Sequence, residues 1–198
     1  LSLAHAGYLS DPHDFMAALM VGYELLIRLG VAIDGPNALY QGIWPTYLAA
    51  PLGSAAVTAK ALKLDKKKTT DALACALTMS TGVAGRIRKP LSSRWLTLGL
   101  AAQNGVVAAF SAADGFAGDD ALLDREDSGP LQALIAAKTK LLDGLGEKFL
   151  MDEMCIKPYP IARQALSAVE AFQEMLAAHE IDPESIEKVT VFVPGQFT

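Results

Sequence analysis

Aromatic side chains are scarce in this chain of 198 residues: they make up 7% of it, although 52% of the residues are hydrophobic. The core therefore has to be built from alanine, leucine and valine. A chain of this length buries roughly 70% of the surface that its unfolded form exposes, and small side chains let helices approach closely. The composition predicts a helix-rich interior.

Cysteine is also scarce. Cys75 and Cys155 lie far apart and have no metal-ligand spacing, which argues against a disulfide scaffold and against a zinc site. The longest apolar run, from Phe15 to Val31, is too short to cross a bilayer comfortably. It contains Glu24 and Arg28, which are four residues apart and can pair on a helix. No secretory signal pattern opens the sequence. These absences predict a cytoplasmic protein with reduced thiols and no membrane partner.

Acidic residues are missing from one long part of the chain. Residues 72–113 contain none, whereas residues 114–198 hold sixteen Asp/Glu against seven Lys/Arg, and the whole chain has a net charge of −5. The basic residues form short clusters without interleaved aromatic residues. Nucleic acid is therefore not an expected partner.

Cap residues and apolar periodicity predict a mainly helical chain. Asp11-Pro12 and Asp65 are typical helix starts; residues 31–44 and 81–93 are predicted to be breaks, and Lys66–Lys68 a solvated face. The predicted helices are Pro12–Leu29, Tyr47–Leu62, Lys66–Met79, Leu96–Ala113 and Ile161–Ala178, with shorter ones near Asp120–Asp124 and from Pro130 toward Leu142. Residues 188–193 alternate as a strand, whose partners must lie outside this chain or on another subunit, because one strand cannot form a stable sheet.

Four cations cluster in the break before the fourth main helix: Arg86, Arg88, Lys89 and Arg94. Guanidinium groups bind carboxylates through paired hydrogen bonds, and a helix start adds free N–H groups. The cluster is either an anion site or a solvated basic loop that is neutralised by the acidic second half.

Lys157 and Arg163 stand in a similar position, around the start of the last main helix. Cations are not favoured at a helix N-terminus, which already carries a partial positive charge. They fit there if an anion belongs at the same place. The alternative is a solvated cap whose side chains turn to water.

Five segments, taken in order, resemble the MmgE/PrpD family of 2-methylcitrate dehydratases, cis-aconitate decarboxylases and iminodisuccinate epimerases. They are VGYELLIRLG (21–30), PTYLAAPLGSAAVTAKALKLD (45–65), SRWLTLGLAAQNGVVAAFSAADGFAGD (93–119), KPYP with ARQA (157–165) and IDPESIEKVTVFVP (181–194). The resemblance implies a mainly α fold, with residues 1–150 as part of an all-helical domain and residues 151–198 as the beginning of a smaller α+β domain. It also implies a homodimer that uses no cofactor and no metal.

The resemblance further implies a lyase or isomerase that removes a proton next to a carboxylate of a small di- or tricarboxylate. On that reading Lys157 and Tyr159 are the catalytic candidates. The substrate-binding candidates are Arg94, Arg163, Arg88, Lys89 and Trp44. Trp44 and Thr97 stand where dehydratase members carry histidines, which argues against plain 2-methylcitrate dehydration and favours an epimerase-like or unassigned branch. The alternative is a truncated, non-catalytic paralogue that binds an anion or a partner chain.

Overall fold

The structure is a computed structural model that describes residues 2–40, 42–80, 92–121 and 141–192. The chain divides into two compact units, Leu1–Glu153 and Met154–Thr198. The described parts of both units are mainly helical, which confirms the predicted helical class. The interpretation of the second unit as the start of an α+β domain stays a prediction.

The helices begin close to the predicted residues. In the first unit they are α1 (Ser2–His5), α2 (Pro12–Ala32), α3 (Gly35–Tyr40), α4 (Pro45–Ala61), α5 (Lys66–Thr78) and α6 (Ser93–Ala113), followed by a 3₁₀ turn at Leu150–Glu153. The second unit contains α7 (Arg163–His179) and a 3₁₀ turn at Pro183–Ser185.

Two predicted caps are confirmed by their hydrogen bonds. The Asp11 carboxylate accepts from the backbone N–H groups of His13, at 2.8 Å, and Asp14, at 3.1 Å. The Asp65 carboxylate accepts from the N–H of Lys68 at 2.9 Å. Each carboxylate satisfies N–H groups that the first helical turn leaves without partners.

The prediction of a loop over residues 31–44 is wrong for Gly35–Tyr40, which form a helix. Helix α2 continues to Ala32, the backbone turns at Asp34 with a φ of 50°, and α3 follows directly. The Asp34 carboxylate accepts a hydrogen bond of 2.6 Å from the Asn37 side chain, which holds the first turn of α3. Gly35 and Pro36 stand in that first turn, where a proline lacks only an N–H that would have no partner.

The first unit is built around α4, which packs against α2, α5 and α6. The helices approach through small side chains: α6 buries Ala101, Gly105, Ala108, Ala109 and Ala112. A side chain added at Gly105 would run into the backbone of α4 at Pro51 and Ala55. Because the contact residues of α6 are alanine and glycine, the backbones of α6 and α4 come almost into contact.

Two of the three lysines at the start of α5, Lys66 and Lys67, are exposed as predicted, whereas Lys68 is half-buried. Lys68 Nζ donates to the carbonyl of Ala113 at 2.7 Å, where a cation suits the C-terminal end of α6. Lys67 is exposed but pairs with the buried Asp71 at 2.5 Å. The hydrogen bond from Lys67 lowers the pKa of Asp71, and the N–H of Gly118 lowers it to a smaller degree. Burial acts in the opposite direction but does not outweigh them.

The predicted strand does not form over the part that the structure describes, residues 188–192. Val189, Val191 and Phe192 are exposed there, and no strand occurs among the described residues of either unit. A strand needs a neighbour for its backbone hydrogen bonds, and the described chain offers none. The predicted helices near Asp120–Asp124 and from Pro130 lie almost wholly outside the described residues, so they remain predictions.

Two helices, α2 and α6, are long and apolar enough to cross a membrane by length and composition alone. The cores of soluble proteins contain helices that meet the same criterion, so this is weak evidence for a membrane span. Helix α2 also contains an ion pair, Glu24 with Arg28, and both residues are buried.

Candidate functional site

Trp44 and Arg94 come together although fifty residues separate them. Tyr47, in the first turn of α4, is buried, and its hydroxyl donates to the backbone carbonyl of Arg94 at 3.0 Å. The start of α6 is therefore fixed beside the start of α4. Trp44 stands just before α4 and stacks on Tyr47, with ring centroids 5.8 Å apart.

The guanidinium of Arg94 lies against two indole rings. Its Cζ is 5.6 Å from the Trp44 ring centroid and 4.7 Å from that of Trp95, distances at which cation–π attraction acts. Among the described residues, no carboxylate or carbonyl accepts a hydrogen bond from this guanidinium. Its N–H groups are therefore available to a ligand, and Trp95, with 64% of its surface exposed, leaves the place open to solvent.

Both helix starts at this place lack a side-chain cap. Neither Trp44 before α4 nor Ser92 before α6 accepts a bond from the first-turn N–H groups through its side chain. Helix α6 also contains no acidic residue in its first turn. Uncapped N–H groups, two helix dipoles and one arginine together make a positive environment that suits an anion.

Lys157, Tyr159 and Arg163 all lie in the second unit. Lys157 is exposed, and its Nζ donates to the carbonyl of Ile161 at 3.1 Å, within its own loop. The Tyr159 hydroxyl donates to the Gln173 side chain on α7 at 2.5 Å. Arg163 is exposed at the first position of α7, whose N-cap residue provides no side-chain bond.

The predicted site residues thus form two groups in different compact units. Trp44 and Arg94 are in contact in the first, while Lys157, Tyr159 and Arg163 share one loop and helix start in the second. Arg88 and Lys89 lie outside the described residues. Within the part of the chain that the structure describes, no group of three His, Cys, Asp or Glu residues lies close enough to hold a metal ion.

Tyr47 and Trp95 were missed by the sequence reasoning. A signal did exist, since Trp95 follows the candidate Arg94 directly and Tyr47 stands three residues after Trp44, one helical turn away. Aromatic residues beside an arginine favour cation–π contacts. The hydrogen bond from Tyr47 to α6, however, could not be read from local spacing.

Glu24 and Arg28 form a second polar cluster, which the sequence indicated only as an i, i+4 pair. Arg28 is 2% exposed, and its Nε donates to the Glu24 carboxylate at 2.7 Å. The rest of the guanidinium binds a segment that we call the strap, residues 141–151. Its acceptors there are the carbonyls of Leu141 (3.2 Å), Asp143 (2.7 Å), Gly144 (3.4 Å) and Lys148 (2.7 Å).

The Glu24 carboxylate completes this cluster by accepting from the N–H groups of Leu150, at 3.1 Å, and Met151, at 3.0 Å. Burial alone would raise the pKa of Glu24, but the two N–H groups and Arg28 outweigh it and lower that pKa. Arg28 has all its donors occupied by protein atoms. The pair therefore anchors the strap to α2 and offers nothing to a ligand.

The lowered pKa values predict acid sensitivity. Glu24 and Asp71 have ordinary pKa values of 4.5 and 3.8, and both are lowered by folding. The contribution of the two ionised carboxylates to the free energy of unfolding is complete above these ordinary pKa values. It is lost as the pH falls through their lower pKa values in the folded protein. We expect urea unfolding at pH 7, 5, 4 and 3 to show a stability loss below about pH 4.5. The Glu24→Gln protein should start less stable at pH 7 and lose less between pH 5 and 3; an unchanged slope would contradict this role of Glu24.

Comparison with known proteins identifies the family of this chain. The model of the MmgE/PrpD N-terminal domain matches residues 1–142. A similar curated protein is the cis-aconitate decarboxylase-like protein oryM of Aspergillus oryzae, 31% identical over 116 residues, which are 59% of this chain and 24% of that protein. The chain belongs to the MmgE/PrpD family. It spans about a quarter of the length of that relative.

Proposed function

We propose that this chain provides part of a cofactor-independent lyase or isomerase, which removes a proton next to a carboxylate of a small polycarboxylate. Membership of the MmgE/PrpD family and the similarity to a protein named cis-aconitate decarboxylase-like support a lyase-like role at the level of the family. The observation that carries the proposal furthest is Arg94, which stands in the first turn of the uncapped helix α6. Its guanidinium lies against Trp44, the residue before the uncapped helix α4, and has no protein acceptor among the described residues.

Arg94 binds one substrate carboxylate in this proposal. The indoles of Trp44 and Trp95 lie against the guanidinium, whose N–H groups have no acceptor among the described residues. A guanidinium takes a carboxylate through two parallel hydrogen bonds, which orient it as well as hold it. Removal of a proton next to that carboxylate creates further negative charge, and fixed N–H groups and cations stabilise it without reorganising.

Lys157 is the proposed acid/base in the second unit, with Tyr159 as proton donor and Arg163 as a carboxylate ligand. Lys157 is exposed and bound only to a carbonyl of its own loop. An ammonium held in this way can exchange its acceptor for a substrate at small cost. The hydroxyl of Tyr159 is fixed on α7 by Gln173, which gives it a defined position relative to that loop.

The first test is proton NMR in D2O with citrate, 2-methylcitrate, cis-aconitate, iminodisuccinate and malate. We expect deuterium to enter next to a carboxylate of at least one acid, whether the reaction ends in elimination, epimerisation or exchange. Loss of an acid/base group lowers such rates by about 100-fold or more, and Lys157→Ala should show this. Arg94→Ala should raise the acid concentration needed for half-maximal exchange.

The control is Lys188→Ala, which removes another exposed lysine of the second unit and should leave exchange unchanged. Exchange that persists in the Lys157→Ala protein would remove Lys157 from the mechanism. Exchange that is insensitive to Arg94→Ala would remove the proposed carboxylate site from it.

The second candidate function is that of a non-catalytic fragment or paralogue that binds an anion or another chain. The presence of Trp44, where the resemblance places a histidine in dehydratase members, supports it. It predicts no deuterium exchange with any acid, but carboxylate binding by calorimetry that is lost in Arg94→Ala. A cytoplasmic location, a homodimer and the absence of membrane or nucleic-acid partners remain part of the proposal in either case.

A further inference from the structure

A cavity of about 970 Å³ lies along one face of α2, between that helix, α4, α5 and the strap. The α2 residues that line it include Asp14, Ala17, Val21, Leu25 and Arg28. They recur every three or four residues and span roughly 21 Å of the helix. The volume lies at the upper end of the usual range for pockets that hold small molecules. The cavity is therefore large enough for a ligand and extends along most of α2.

The walls of this cavity are mostly apolar. Each of its four sides contributes apolar side chains, such as Val21 from α2, Ala59 from α4, Leu73 from α5 and Phe149 from the strap. Val21 and Phe149 are 42% and 47% exposed, so apolar surface inside the cavity is in contact with water. Covering such surface is favourable. The walls thus favour a ligand with a hydrocarbon body.

The polar side chains at the cavity favour an anion. Outside the buried ion pair of α2, the described residues that line it include three lysines, Lys60, Lys63 and Lys148, and one carboxylate, Asp14. Lys63 Nζ lies 3.2 Å from the Asp14 carboxylate, but both side chains are largely in solvent, and such a pair exchanges partners at little cost. No described carboxylate pairs with Lys60, in the last turn of α4. The cavity therefore combines an apolar length with a cationic end.

We propose that this cavity binds a long-chain monocarboxylate, the chemistry of a fatty acid, with its hydrocarbon chain along α2 and its carboxylate at Lys60 and Lys63. A di- or tricarboxylate would leave the apolar walls uncovered, so the ligand is of a different class from the proposed substrate. Neither Trp44 nor Arg94 lines the cavity. The proposal is therefore independent of the reaction and can fail while the proposed function stands.

The first experiment is isothermal titration calorimetry of the full chain with dodecanoate. We expect a dissociation constant on the order of tens of micromolar. Butanoate has the same head group without the long chain, and dodecyltrimethylammonium has the same chain with the opposite charge. Both should bind about tenfold or more weakly. Dodecanoate should also slow limited proteolysis of the strap, because the strap forms one wall of the cavity.

The second experiment places a charge in the apolar wall. Val21→Glu should weaken dodecanoate binding about tenfold or more, because the ligand would bury the new carboxylate without a partner. Val31→Glu makes the same change at another exposed position of α2, outside the cavity, and should leave the affinity unchanged. Circular dichroism checks that both variants keep their helices.

The third experiment tests the cationic end. Lys60→Met should weaken dodecanoate binding several-fold, as expected for the loss of one exposed ion pair. Lys66→Met removes an exposed lysine that does not line the cavity and should have no effect.

Three results would overturn the proposal. They are the absence of dodecanoate binding by the folded protein, equal affinities of the Val21→Glu and Val31→Glu proteins, and equal affinities for dodecanoate and dodecyltrimethylammonium. A cavity that takes a neutral amphipathic peptide but no dodecanoate would belong to a protein partner, which also contradicts the proposal.

Discussion

Arg28→Met is expected to lower the free energy of unfolding by about 3–5 kcal/mol, because it breaks a buried ion pair from one side. Methionine fills much of the same space but has no hydrogen-bond donors. The Glu24 carboxylate would stay buried without its cation, and the strap carbonyls that Arg28 binds would lose their donors. Urea denaturation followed by circular dichroism measures this loss.

The matched control for that variant is Lys148→Met. Lys148 lies in the strap and pairs with Glu153 through an exposed bridge, whereas its backbone carbonyl, which Arg28 binds, is unaffected by the change. Exposed bridges contribute little to stability, so this protein should unfold like the wild type. Equal effects of the two substitutions would show that burial of the Glu24–Arg28 pair does not determine its contribution. Limited proteolysis should cut the strap of the Arg28→Met protein before it cuts α4.

Gly105→Ala is expected to lower the free energy of unfolding by about 3 kcal/mol, at the upper end of the usual cost of overpacking. The added methyl group would lie 2.7 Å from the Ala55 nitrogen and from the Ser54 Cβ, and still closer to the Pro51 carbonyl oxygen. Backbone atoms cannot move aside as a flexible side chain can, so α6 must shift away from α4. Thermal unfolding and the near-ultraviolet signal of the tryptophans report the loss.

Gly99→Ala, on the same helix, provides the control. A methyl group there would meet no atom within 4 Å. Alanine is favoured over glycine inside a helix by about 1 kcal/mol, so this substitution should be neutral or stabilising. Similar losses at Gly99 and Gly105 would show that helix propensity, and not the close contact with α4, sets the cost.

Much of the helical fold is a local property and could be predicted. Asp11 and Asp65 stand before apolar periodic stretches, and each caps its helix as its spacing indicates. The Glu24–Arg28 pair also followed from four-residue spacing. Its burial did not, because the spacing does not show that a strap more than a hundred residues later supplies carbonyls and N–H groups to it.

The candidate site, too, could be predicted only in part. Lys157, Tyr159 and Arg163 are close in sequence, so their common loop and helix start were visible. The placement of Arg94 beside Trp44 depends on the bond from Tyr47 to the start of α6, which no local pattern contains.

The sequence by itself determined the helical class, the approximate starts of the longer helices and the family, because capping, periodicity and motif order can be read along the chain. Only the tertiary structure decided which face of α6 is buried. Both faces are apolar, and the small one is inside because Gly105 and the alanines let α6 reach the backbone of α4, where Leu96 and Leu100 would not fit. The larger side chains, Leu96 and Leu100 among them, are left exposed.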